Sequence, residues 1–241
     1  MLHESPELEV AKVVFCEGGV ANPARNRRRK LEKMLRIGPL GALNGIRMRR
    51  WYGEDLQRAL PVRDLDEVAS ELGLVVETTR TINSEQTRAL FREAEADLGL
   101  SLGNSYIGKK VYSIPRLGML NIHHEILPKF RGAQGVIWQI HEGSRETGYT
   151  IHEIDSSIDT GRILYQERVP IVFRESLNRT VTETYARVYA ASARGLVHTL
   201  ENYEALCIES APQGPGDTYT TPTFLQYLRM LREHRRLGRS S

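Results

Sequence analysis

An asparagine and a histidine stand two residues apart in the stretch LNIHHEILPKFRGAQG, Leu120 to Gly135, and an aspartate, Asp159, follows in a later loop. On a strand, side chains at i and i+2 leave the same face, so the Asn121 carboxamide and the His123 imidazole point together. A carboxamide can donate to an oxygen on which negative charge develops, and a carboxylate beside an imidazole raises its pKa and fixes its orientation. Such a trio suits attack on a carbonyl without a covalent intermediate, because no serine or cysteine stands in a nucleophile motif. The same residues also read as a core histidine and as a loop cap ahead of Thr160 and Gly161.

Placing three such groups together requires strands that end side by side. VAKVVFCEGG, from Val10, reads as a buried strand closed by a glycine turn, and Ala24 to Leu60 as two helices broken at IGPLG, Ile37 to Gly41. The second of these carries Leu43, Ile46, Met48 and Trp51, expected to pack on the sheet. LGLVVETTR from Leu72 is a strand, and NSEQTRALFREAEA a helix capped at Asn83 or Ser84. DLGLSLGNSYI from Asp97 is a strand running into a polar end. TGYTIHEID and RILYQERVPI are two strands pairing across the loop Ser156 to Arg162. A long amphipathic helix follows, with Leu177, Val181, Tyr185, Val188, Ser192, Leu196 and Leu200 at helical spacing. The alternation predicts an α/β fold with a largely parallel sheet flanked by helices, whose ligands bind beyond the strands' carboxyl ends.

At 241 residues, 40% hydrophobic and 26% charged, the composition is that of one globular domain or one plus an appendage. Cys16 and Cys207 stand far apart without metal-ligand spacing, so neither a disulfide framework nor a metal site is expected. The start, MLHESPELEV, lacks a leader's basic and apolar regions, and no apolar run has the length of a membrane span; a soluble, cytoplasmic protein is expected. Positive charge gathers in ARNRRRK, Ala24 to Lys30, and REHRRLGR, Arg232 to Arg239. Either block suits a phosphate-bearing partner, although a solvated helix face and a tail explain them more simply.

The segment Asn121 to Leu164 resembles the core of the folate-dependent formyltransferases, the group that includes glycinamide ribonucleotide, methionyl-tRNA and nucleotide-sugar formyltransferases. N-x-H, L-P-x-aromatic-R-G, T-G-x-T-I-H and D-T-G-x-I-L occur in that order and at that group's spacing, with good resemblance from about Asp97 to Pro170. The resemblance implies a Rossmann-like domain over residues 1–205, a C-terminal extension over 206–241, and 10-formyltetrahydrofolate as formyl donor. Carried across, the catalytic residues are Asn121, His123 and Asp159. Asn121 and His123 would stabilise the oxygen of a tetrahedral intermediate, and Asp159 would support His123 and help move the amine proton to the leaving nitrogen. The pterin would lie between Asn104, Ser105, Tyr106 and Ile107 on one side and Ile154, Asp155, Ser156 and Ile158 on the other. In LPKFRG, Pro128 and Gly132 shape a turn, and Arg131 anchors the loop or meets an anionic group.

Two departures from that group bear on the acceptor. His124 and Glu125 stand where relatives usually carry proline or alanine and serine, so both are expected at the substrate. Val10 to Glu17 resembles the second strand of relatives rather than the first, so the first βα unit is expected to be missing or replaced. The residues after Asp217 are too few for the extra domain of methionyl-tRNA formyltransferases, which makes tRNA a poor expected acceptor. The leading expectation is formyl transfer to a primary amine of a small, anionic molecule such as an amino-sugar nucleotide. The alternatives are a formyltetrahydrofolate hydrolase and a non-catalytic folate-binding relic or partner subunit. The last helix, with Phe224, Tyr227, Leu228 and Leu231, is expected to dock on the core or on a second copy in a homodimer.

Overall fold

A computed structural model describes residues 2–19, 23–60 and 63–239. Strand β1 (Val13–Cys16) leads to helix α1 (Pro23–Arg50), which carries the first arginine block and is kinked at Gly38, φ 73°. The kink falls inside IGPLG, where Pro39 removes a backbone donor and Gly38 supplies the left-handed φ. A π-helical turn, Trp51–Asp55, and a short α2 (Leu56–Ala59) follow. The expected apolar face of this region divides: Met48 and Trp51 are buried, while Leu43 and Ile46 are exposed. Helix α3 (Leu65–Leu72) is capped by the Asp64 carboxylate, which accepts from the N–H groups of Asp66 and Glu67.

Then come β2 (Val76–Thr79), α4 (Glu85–Ala94), β3 (Gly99–Ser101), α5 (Lys109–Tyr112) and β4 (Met119–His123). Ser84 caps α4 by accepting from Thr87 N–H, as its position ahead of the apolar run predicts. The chain continues through β5 (Phe130–Gly132), α6 (Gly135–His141), β6 (Glu146–Glu153) and β7 (Ile163–Pro170). It closes with α7 (Leu177–Glu201), α8 (Tyr203–Glu209), β8 (Asp217–Tyr219) and α9 (Phe224–Gly238).

The central sheet has the order β3-β4-β6-β7, with β1-β2 and β5-β8 as separate pairs. The pairs β1·β2, β3·β4 and β5·β8 are parallel, whereas β4·β6 and β6·β7 are antiparallel. The α/β fold is therefore as read, with a mixed central sheet in place of a largely parallel one. The β6–β7 connection is the expected hairpin, since its loop is shorter than the dozen or so residues a parallel crossover needs. Among the described residues no ladder joins β1-β2 to β3.

Helix α6 is buried throughout, and its Val136, Ile137 and Ile140 meet Val181 and Tyr185 of α7 and Tyr227, Met230 and Leu237 of α9. Fully burying each such aliphatic side chain contributes roughly 1.5–3 kcal/mol. The residues past 205 therefore belong to the same core, and α9 is held at its start by a capping box between Thr223 and Gln226. A second cluster joins Leu120 and Ile122 of β4, Tyr149 and Ile151 of β6, and Val188 and Leu196 of α7. This second cluster fixes β4 and β6, and these two strands carry the polar groups described next. Among the described residues no helix is long and apolar enough to cross a membrane.

Candidate active site

The β4·β6 register places Asn121 opposite His152 and His123 opposite Thr150. Asn121 Nδ2 lies 3.2 Å from His152 Nε2, and His152 Nδ1 donates to the Glu153 carbonyl at 2.8 Å. With its proton on Nδ1, His152 presents a bare Nε2 that accepts from the carboxamide. Burial holds the His152 pKa below the ordinary histidine value, against the attraction of Asp159, so the ring stays neutral and the pair keeps this polarity.

His123 sits in the opposite electrostatic situation. Burial would lower its pKa, but the charge and hydrogen bonding of Glu125, then Asp159 and the Phe130 carbonyl, outweigh burial and push it up to about 9. The ring is an imidazolium at neutral pH. Nε2 donates to the Phe130 carbonyl at 2.7 Å and lies 3.1 Å from Glu125 Oε2. Nδ1 is 3.6 Å from Asp159 Oδ2, too far for a hydrogen bond, so this N–H is left for a ligand.

Asp159 has a left-handed backbone, φ 54°, which aspartate tolerates better than most residues. Its Oδ2 accepts from Gly132 N–H at 2.9 Å, and its Oδ1 lies 3.7 Å from His152 Nε2. Gly132 is required there: its φ is 97°, and a Cβ would fall 2.3 Å from the Tyr219 carbonyl oxygen. Arg131 donates from Nε to the Asp159 carbonyl at 3.2 Å, and from Nη2 to Gln213 Oε1 and the Gly214 carbonyl. It clamps the aspartate loop and does not line the cavity, so anchoring is the part of its expectation that the geometry brings about.

The three groups open onto a cavity of about 710 Å³, within the usual size of small-molecule sites. Asn104, Ser105, Tyr106, Ile107, Ile154, Asp155 and Ile158 line one side of it; Ser156 does not, and its neighbour Ser157 does. Tyr106 Oη donates to the Ser156 carbonyl at 3.3 Å, which joins these two loops. Asn83 holds the first loop from behind, donating to the Tyr106 carbonyl at 2.8 Å and accepting from Gly108 N–H at 2.7 Å.

His124 and Glu125 both reach the cavity. His124 stacks on Tyr189 with ring centroids 4.0 Å apart, and burial together with the charged His123 pushes its pKa down to about 4. Glu125 is buried, its Oε1 accepting from Gly135 N–H and lying 3.4 Å from Tyr185 Oη. Sequence reasoning missed His152, Tyr52, Gln134 and Tyr185. His152 stood in the T-G-x-T-I-H motif on a strand whose alternation could have exposed it, and Tyr185 was read as core only. Tyr52 lies in a π-helical turn that no local pattern announces. Among the described residues no cluster of metal-ligating side chains occurs.

The profile of the family described as "Formyl transferase" matches residues 54–200, more than half of the chain, a range that includes Asn121, His123 and Asp159. The chain belongs to the formyl transferase family. Curated members of similar sequence include methionyl-tRNA formyltransferases of Porphyromonas gingivalis, 33% identical over 133 residues, and Alcanivorax borkumensis, 34% identical over 169 residues. These alignments cover 55% and 69% of this chain but 40% and 49% of the relatives, so the chain spans half of their length or less. Among solved formyltransferases, the phosphoribosylglycinamide enzyme of Streptococcus pneumoniae superposes with TM-score 0.50 at 26% identity, covering 61% of this chain and 89% of that one. The formyltransferase PseJ of Anoxybacillus kamchatkensis, in complex with UDP-4,6-dideoxy-4-formamido-L-AltNAc and tetrahydrofolate, shares the fold with TM-score 0.53 at 22% identity, covering 76% and 97%.

Proposed function

We propose that this member of the formyl transferase family transfers a formyl group from 10-formyltetrahydrofolate to a primary amine on a small acceptor. The observation that carries this is the convergence of Asn121, His123 and Asp159, each with an unused donor or acceptor, on one cavity flanked by the two expected donor-binding loops. Those loops fit a pterin. Residues 104–107 and 154–158, Ser156 excepted, line the cavity outside any helix or strand; the Ile154 N–H is taken by the Met119 carbonyl, the Ser157 N–H by Asp155 and the Tyr106 carbonyl by Asn83, and the loops' other peptide groups lie outside the ladders. When bound, 10-formyltetrahydrofolate supplies the formyl carbon.

The protein's own groups then have distinct tasks. Asn121 has one N–H held by His152, and its second N–H donates to the formyl oxygen as negative charge gathers there. The Nδ1–H of the charged His123 donates to the same oxygen. Asp159 Oδ1 makes no close contact and takes a proton from the attacking amine, to be passed to the leaving nitrogen. His152 is a positioning residue, because it orients the carboxamide without touching substrate.

The expectation of an anionic acceptor such as an amino-sugar nucleotide comes with the family resemblance, whereas the cavity itself offers one guanidinium, Arg49, among the described residues. The test is calorimetric binding of 5-formyltetrahydrofolate to the wild type and to Asp159→Ala, followed by assays for tetrahydrofolate formation with small amines, with methionyl-tRNA and with neither. Binding that the substitution weakens, and turnover that requires a small amine, supports the reading. Formylation of methionyl-tRNA would assign the acceptor named for the curated relatives, release of formate alone would make the chain a hydrolase, and absence of folate binding would remove the donor.

A further inference from the structure

The wall of the cavity away from the donor loops carries buried polar atoms whose hydrogen-bonding capacity the chain leaves wholly or partly open. Tyr52 Oη and Gln134 Oε1 lack a hydrogen-bond partner, and Glu125 Oε2 has only the charged His123 Nε2 at 3.1 Å, whose N–H is shared with the Phe130 carbonyl; all three residues line the cavity. Leaving such groups unpaired costs roughly 1–3 kcal/mol each, so a wall holding two of them beside a carboxylate oxygen with lone-pair capacity to spare is suited to a ligand that completes them. Two of the atoms accept and one, the phenol, donates. The complement is a molecule with two N–H or O–H donors and an oxygen acceptor close together, which is the pattern of an amino alcohol.

The rest of the wall agrees. Tyr52 and Tyr185 meet edge to face at 5.3 Å, Tyr185 and Tyr189 lie 6.2 Å apart, and His124 stacks on Tyr189, which gives a continuous aromatic surface suited to the C–H faces of a saturated ring. Glu125 is a fixed feature of this surface. A Cβ on Gly135 would fall 1.9 Å from Glu125 Cγ, so the glycine leaves the room the carboxylate occupies. Around the cavity the carboxylates of Glu125, Asp155 and Asp159 stand against the Arg49 guanidinium and the His123 imidazolium, the latter already held by Glu125, among the described residues. A phosphate would meet the carboxylate of Glu125 and the amide oxygen of Gln134, both acceptors, and would be repelled.

We infer that this wall is the acceptor subsite, that Tyr52, Glu125 and Gln134 are its specificity-determining residues, and that it takes an unphosphorylated amino sugar or a similar amino polyol. This deepens the formyl-transfer reading and rests on it. In the subsite Glu125 Oε2 and Gln134 Oε1 receive N–H and O–H groups of the acceptor, and Tyr52 donates to one of its oxygens. The amine nitrogen bonds to the formyl carbon, that carbon's bond to the donor nitrogen breaks, and the amine proton travels by Asp159 to the nitrogen that leaves.

The experiment uses the full chain with 10-formyltetrahydrofolate and a matched pair of probes, glucosamine and glucosamine 6-phosphate, with tetrahydrofolate release as the readout. Glucosamine is expected to exceed its phosphate by about tenfold or more in kcat/KM, the equivalent of one desolvated polar contact. Tyr52→Phe, which keeps the ring and removes only the hydroxyl, and Glu125→Gln are each expected to raise KM for glucosamine about tenfold while leaving 5-formyltetrahydrofolate affinity unchanged. Preference for the phosphate, an unchanged KM in a folded Tyr52→Phe protein, or turnover of neither probe by protein that binds 5-formyltetrahydrofolate overturns the subsite. Saturation-transfer NMR with glucosamine alone separates the two readings. Contact at the sugar without folate binding would keep the subsite and remove the donor, and folate binding without sugar contact would do the reverse.

Discussion

On the side of the cavity proposed for the donor the lining comes from two loops, Asn104 to Ile107 and Ile154 to Ile158 without Ser156. On the side proposed for the acceptor Tyr52, Glu125, Gln134 and Tyr185 come from a π-helical turn, the turn just after β4, the residue before α6 and the middle of α7. On the proposed reading the first wall would work mainly through backbone, which tolerates changes of side chain, and the second through side-chain atoms, which do not. One wall is therefore shaped by turn geometry and the other by how elements distant in sequence pack. Between them stands β4, whose Asn121 and His123 belong to neither and should affect chemistry without affecting how either ligand binds.

That last statement gives the largest expected effect. Asn121→Ala removes a preorganised donor and should lower kcat by about 10²–10³ while leaving 5-formyltetrahydrofolate affinity within about twofold. Steady-state kinetics beside calorimetry decides it. A loss of folate affinity as large as the loss of rate would place Asn121 in the donor wall and blur the division drawn above. His123→Ala is expected to behave in the same way.

Two glycines sharpen the comparison at a smaller scale. Gly135→Ala drives a methyl group into Glu125, and overpacking of this kind costs about 1–3 kcal/mol. On the donor wall Gly103 has open space around a Cβ but a left-handed backbone, φ 84°, so Gly103→Ala should cost only about 1 kcal/mol, from the backbone alone. Urea denaturation of both variants reads the difference directly. Equal costs would mean that the acceptor wall is no more tightly interlocked than the donor wall.

The same contrast explains how much the amino-acid sequence disclosed. The meeting of Asn121, His123 and Asp159 at one cavity, the β6–β7 hairpin, the Ser84 cap and the break in α1 were all legible, because a period-2 strand, a capping serine and a Gly-Pro pair act locally. Seven of the eight expected donor-wall residues line the cavity for a related reason: they are runs of chain at strand ends. Tyr52, Gln134 and Tyr185 were not legible, since only tertiary packing turns them toward Glu125, and a tyrosine at helical spacing reads as core. The antiparallel β4·β6 pairing was also missed. Strand alternation marks which residues share a face but not which direction a neighbour runs, and His152 was overlooked with that pairing.

The finest test concerns two adjacent histidines whose pKa values the two walls drive apart. His123 is raised to about 9 by Glu125 and Asp159 against its burial, and His124, stacked in the aromatic wall, is lowered to about 4 by burial and by His123. A raised pKa favours the charged form in the folded state, so His123's contribution to stability is complete below its unfolded value near 6.5 and is lost as pH climbs through 9. For His124 the sign reverses: its contribution is complete above 6.5 and fades as pH falls through 4. Thermal stability should therefore fall at both ends, with Tm moving by about 2–4 °C for each kcal/mol lost. Glu125→Gln removes the charge that raises the His123 pKa, so the alkaline decline in Tm, and with it the alkaline decline in kcat, should begin at lower pH while the acid side stays in place. An alkaline limb unmoved in Glu125→Gln would mean that Asp159 alone holds the imidazolium, and Glu125 would then act on the acceptor without acting on His123.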